Sequence, residues 1–223
     1  MRMGHGTCVR LAAFLTGAVL LQGCGAAEPV EVQVALQAQA PDAEAGPGRV
    51  YAHMIPPPGH GHYTGTVADW PLWFPWHYFG SHCFSVQECT VDYARLPNAG
   101  GTSRPSFESL GRPVEKVLRA GSGPVRNFPP PAKVTWRSQD GTPLTASVDM
   151  AEIFADRMVR HPVPREDILE NSYIPYPGII LVVDDRTISV YMRTWIPLKE
   201  LRDPDNPYSN QKTSVELVHS RTY

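Results

Sequence analysis

Apolar and polar positions alternate most regularly near the C-terminus. Residues 179–183 form an unbroken apolar run, Asp184-Asp185-Arg186 can turn, and Ile188, Val190, Met192 and Ile196 then alternate with Thr187, Ser189, Tyr191 and Arg193. This predicts an antiparallel hairpin with one face buried. Over 214–221, Val215, Leu217 and His219 alternate with Glu216, Val218 and Ser220, which predicts a last strand. Val134 and Trp136 share one side of a strand over 133–138, with the turn at Asp140-Gly141 after it. Further strands are expected over 28–40, where Val30, Val32, Val34 and Leu36 recur with a period of two, over 49–55 up to Pro56-Pro57-Pro58, and around Val91 and Tyr93.

Helical periodicity is rarer. Asp149 and Glu152 form a D-x-x-E cap, and Met150, Ile153, Phe154 and Met158 recur at steps of three and four, so one helix is expected from Asp149 to the stop at His161-Pro162. Pro113 opens a shorter candidate over 112–120. The expected class is α+β, a β-rich antiparallel sheet of about five to eight strands with the Asp149 helix packed on it. The 23 prolines and 18 glycines fit short strands and frequent turns.

The N-terminus reads differently. Arg2 and Arg10 precede an apolar run over 11–21, followed by Leu21-Gln22-Gly23-Cys24. A run that short does not span a bilayer, which takes about 20 residues, so residues 1–23 read as an export leader. The stretch resembles a bacterial lipoprotein box, with Gln22 where a small residue is usual. That resemblance implies cleavage before Cys24, a diacylglycerol on its thiol and a further acyl chain on its amine. Several chains hold a protein at a membrane stably where one does not. Residues 24–48 then form the lipidated start and a tether with room for one strand, and 49–223 a single globular domain. Gly25, rather than an aspartate, favours the outer membrane.

Loss of the leader removes two arginines and no acid, leaving 18 basic against 22 acidic residues. That balance argues against nucleic acid as a partner, since nucleic acid selects a basic face. With Cys8 in the leader and Cys24 acylated, Cys83 and Cys89 remain, and an oxidising compartment would join them. The expected disulfide closes a small loop and fixes a local surface shape.

Chemistry is sparse. His60, His62, His77 and His82 fall close together, interleaved with Trp70, Trp73, Phe74, Trp76, Tyr78 and Phe79. The H-x-H pair at 60 and 62 is a candidate metal site, without a carboxylate at a recognised ligand spacing. The same segment reads equally as a core anchor or as an exposed partner-binding surface. No nucleophile elbow, H-E-x-x-H, phosphate loop or dinucleotide fingerprint is present, and the acid pairs Glu166-Asp167 and Asp184-Asp185 lie where helix starts and turns favour acids. Neither an enzyme nor a bound cofactor is expected.

The block from Ile180 to Ile196, with Lys199 and the closing Ser220-Arg221-Thr222-Tyr223, resembles the end of immunity lipoproteins that protect bacteria from type VI secreted phospholipase effectors. The resemblance implies a lipid-anchored protein on the periplasmic face that binds the incoming phospholipase and blocks it. It marks no contact residues here. A structural or assembly lipoprotein of the envelope, and a periplasmic metal-binding module on the histidine cluster, are the alternative readings.

Overall fold

The computed structural model describes residues 52–96 and 105–223, all within one compact unit, Gly46–Tyr223. The expected leader, Cys24, the expected tether and the strand expected over 28–40 lie outside the described residues.

The chain is β-rich and its strands form two sheets. In chain order they are β1 (Trp76–Phe84), β2 (Val86–Asp92), β3 (Ser122–Arg126), β4 (Ala132–Ser138), β5 (Pro143–Val148), β6 (Gly178–Asp184), β7 (Thr187–Pro197) and β8 (Gln211–Thr222). Five strands run in the order β3-β1-β6-β7-β8, and β2-β4-β5 make the smaller sheet. The expectation of one antiparallel sheet needs correction, because β1 and β6 pair parallel at the centre of the larger one.

Burial explains this centre. From Gly178 to Val183 every residue of β6 is buried, as a strand covered on both faces requires. On one face Ile179, Leu181 and Val183 join Ile188, Val190 and Met192 of β7, and pack against Val91, Val134, Trp136 and Val148 of the smaller sheet. On the other, Ile180 and Val182 meet Phe84 and Leu118, with Phe107, Val114 and Val117 alongside. Segment 107–120 therefore forms a third layer, and its helix α1 (Val114–Val117) is a single turn. Gly80 and Gly178 let this layer approach: a Cβ at Gly80 would overlap the carbonyl oxygen of Arg119, and one at Gly178 would stand 2.7 Å from the Cβ of Ala120. Arg193 closes the turn, its Nη1 donating to the carbonyls of Glu115 at 2.6 Å and Leu118 at 3.0 Å.

The Asp149 helix is shorter than its periodicity predicts. Asp149 caps it, its carboxylate accepting from the N–H of Ala151 at 2.8 Å, but α2 (Met150–Ile153) ends after four residues. Arg157 takes φ +56°, turning the chain so that Met158 bridges Trp73. Met150 and Phe154 are fully buried all the same. The strand expected over 49–55 is also corrected: Ala52–Met54 is a 3₁₀ turn. No helix among the described residues is long and apolar enough to cross a membrane.

Candidate functional site

Strand periodicity separates His77 from His82, and His60 and His62 lie in the loop before β1. On β1, His77, Phe79 and Cys83 face the smaller sheet, while Tyr78 and His82 point the other way. His77 is wholly buried. The Nδ2 of Asn127 donates to the Phe74 carbonyl at 2.7 Å, so Asn127 Oδ1 accepts from His77 Nδ1–H at 2.6 Å. Nε2 is thereby left bare and accepts from the Tyr93 hydroxyl at 3.1 Å. One neutral tautomer satisfies all three side chains.

Burial keeps the ring neutral, and the hydrogen bonds choose the tautomer. It pushes the His77 pKa down to about 4, against the opposing effect of the Asn127 bond. Tyr93 is pushed up, first by burial and then by the charge of Asp149. Phe79 lies 4.5 Å from the Tyr93 ring and Phe128 5.7 Å from the imidazole, so the node sits among aromatics in the core. It is a polar pin in the core, with its protons fixed in place.

The remaining histidines lie elsewhere. His60 has Nε2 2.9 Å from the Pro71 carbonyl and Nδ1 3.3 Å from that of Pro58, and His62 is exposed. His82 Nε2 rests against the backbone of Arg119. Among the described residues no group of three or more His, Cys, Asp or Glu side chains gathers where it could hold a metal ion. The acid pairs do local work: Asp184 accepts from the N–H of Phe107 at 2.9 Å, Asp185 from that of Gln139 at 2.8 Å, and Glu166 and Asp167 belong to a 3₁₀ turn.

Cys83 and Cys89 are joined, though not at the surface. Both sulfur-bearing residues are buried in the main core, one on β1 and the other on β2. The bond spans the point where the chain leaves the larger sheet for the smaller, turning at Ser85 with φ +49°. It stitches two layers together, where a surface loop was expected.

The aromatic segment is mostly core. Trp73 and Phe74 are buried, Trp76 is half-buried, and only Trp70 of the three tryptophans is exposed. Tyr63 stacks on Tyr176 with ring centroids 6.0 Å apart and meets Trp73 edge-on at 5.1 Å. Asp69, itself buried, ties down the loop beneath by accepting from Thr64 N–H, Thr64 Oγ1 and Gly65 N–H at 2.7 to 2.9 Å.

Exposed apolar surface gathers on another element. Seven large hydrophobic residues are exposed among the described residues, and Trp195, Leu201, Tyr208 and Leu217 all belong to β7, β8 or the loop between them. That loop, 198–210, is braced by its own bonds. Ser209 Oγ accepts from Asp203 N–H and donates to Asp203 O, both at 2.9 Å; Asn206 N–H reaches Asp203 O at 3.0 Å, and Asn206 Oδ1 accepts from Tyr208 N–H at 3.0 Å. Tyr208 is left 82% exposed on this frame. A large ring held out by an ordered backbone makes a contact site whose ordering cost is met before binding. Sequence reasoning missed it. The available signal was Leu201 and Tyr208 flanking Asp203-Pro204-Asp205-Asn206-Pro207, turn-forming residues that have no core to fill.

Compared with protein-family models, with curated proteins and with solved structures, the chain matches none.

Proposed function

We propose that this is a lipid-anchored protein of the cell envelope that binds a secreted phospholipase effector and neutralises it, acting through contact and without chemistry of its own. The observation that carries the reading is the braced 198–210 loop presenting Tyr208 and Leu201. Tyrosine supplies wide amphipathic contact area at low conformational cost, which suits the centre of an inhibitory interface. The lipoprotein-like Leu21-Gln22-Gly23-Cys24 supplies the anchor, and an inhibitor confined to the surface its target attacks gains effective concentration without added contacts. The phospholipase-immunity resemblance of 180–196 runs into the same hairpin that carries the loop.

The direct test is capture of the lipase encoded beside this gene by the full chain, followed by its hydrolysis of phospholipid vesicles with and without the captured partner. Tight binding with loss of hydrolysis supports the proposal. An unbound lipase, or one bound and fully active, overturns it.

A further inference from the structure

β8 is an edge: one side of it bonds β7 and the other faces away from the sheet. Among the described residues, Gln211 N–H turns back to Ser209 O at 2.8 Å, and from Lys212 to Thr222 no backbone bond outside the sheet is made. Long uncovered edges of this kind are templates for another strand.

That pairing slips between Val190 and Tyr191, since His219 lies opposite Val190 and Leu217 opposite Tyr191, which makes Val218 an extra residue. Glu216, His219 and Arg221, opposite Met192, Val190 and Ile188, therefore all point to the face turned toward the smaller sheet. Val218 packs against the same core, while Leu217 and Ser220, opposite Tyr191 and Ser189, point to the other face. In a regular strand, residues 216 and 221 would lie on opposite faces. The bulge puts them on the same one.

A two-fold axis normal to a sheet sets an edge strand antiparallel to its own copy, and opposed residues must then share a face. With the axis between residues 218 and 219, Glu216 stands opposite Arg221 of the second copy, Leu217 opposite Ser220, and Val218 opposite His219. Each pair shares a face, and the Glu–Arg pair occurs twice. Moving the axis two residues toward the start of β8 sets Lys212 against Arg221 and opposes Glu216 to Leu217 across the two faces. A groove of about 560 Å³ beside the edge, lined by Ile153, Val159–Pro162 and Glu216–Val218, leaves room for side chains of the added copy.

We infer that β8 pairs with β8 of a second copy of this chain, joining two five-stranded sheets into one of ten strands with Glu216 and Arg221 opposed at both ends of the overlap. This interface is separate from the 198–210 loop and stands whether or not a lipase is the partner.

The test is sedimentation of the purified full chain in density-matched detergent, with the charge-reversed variants Glu216→Arg and Arg221→Glu and their combination. The expected result is a dimer for the natural chain, dimer affinity lowered about tenfold or more by either single reversal, and recovery in the double variant. Circular dichroism melts establish that the single variants remain folded. Independently of the lipid anchor, Leu217→Cys and Ser220→Cys chains should cross-link on oxidation when mixed and much less when kept apart. A monomer throughout the accessible concentration range, a dimer indifferent to both reversals, or cross-linking that ignores mixing would overturn the inference.

Discussion

The indole N–H of Trp136 on β4 donates to the backbone carbonyl of Asp185, in the turn between β6 and β7, at 2.7 Å. Trp136 belongs to the smaller sheet and Asp185 to a turn of the larger one, and Tyr223 meets the same indole edge-on at 5.5 Å. One side chain thus ties the smaller sheet to the central hairpin and to the chain end. Trp136→Phe keeps most of the packing and loses the bond, so a loss of about 1 to 3 kcal/mol is expected in urea denaturation. Trp136→Ala adds a cavity and should cost about 3 to 5 kcal/mol.

Acid should weaken the fold through His77. Its pKa is near 6.5 when unfolded and about 4 in the folded core, so between those values the unfolded chain binds more protons. The contribution of this group is complete above pH 6.5 and declines as pH falls toward 4, by an amount on the order of 3 kcal/mol. Urea midpoints measured from pH 8 to pH 4 check this. Replacement of His77 by Gln should lower stability at pH 8 and flatten the slope between pH 6.5 and 4; an unchanged slope would count against His77 as its source.

The close approach at Gly80 leaves no room for a methyl group, because the obstacle is the backbone of Arg119. Gly80→Ala should push the 107–120 layer off the larger sheet and cost about 1 to 3 kcal/mol. Faster amide exchange in α1, with β4 and β5 little changed, would locate the damage.

Tyr208 and Leu201 contribute little to the core and much to the exposed loop. Tyr208→Ala should leave stability within about 0.5 kcal/mol of the natural chain, the range usual for surface changes. On the proposed function it should weaken lipase capture tenfold or more. Calorimetric binding beside thermal melts separates the two effects.

Joint replacement of Cys83 and Cys89 by alanine should cost about 2 kcal/mol, since only a short loop is closed. Reductant should lower the melting temperature of the natural chain and leave the variant where it is.

What the sequence made legible was local. The β6–β7 hairpin could be read because Ile188, Val190 and Met192 face a core and their neighbours do not. β4 and β8 showed the same alternation, and the cap at Asp149 was evident from its spacing. β1 was hidden because both its faces are covered: His77, Phe79 and Cys83 pack on one side and Phe84 on the other, so no alternation survives. β3 was hidden by Gly123-Pro124, residues tolerated there because the strand lies at a sheet edge. The short α2 reflects a tertiary demand, the bridge from Met158 to Trp73, overriding a helical pattern that the side chains still obey. Of the site, the cysteine pair was legible and its place between layers was not. The exposure of Tyr208 depends on bonds within the loop that no periodicity records.

The bond from Cys83 to Cys89 also dates the maturation of the domain. Thiols close only where an oxidant reaches them, so in a reducing medium the chain would have every hydrogen bond of the two sheets available and no covalent rivet at their junction. Reduced, the two sheets are easier to pull apart at their junction; oxidised, they are held there by a covalent bond.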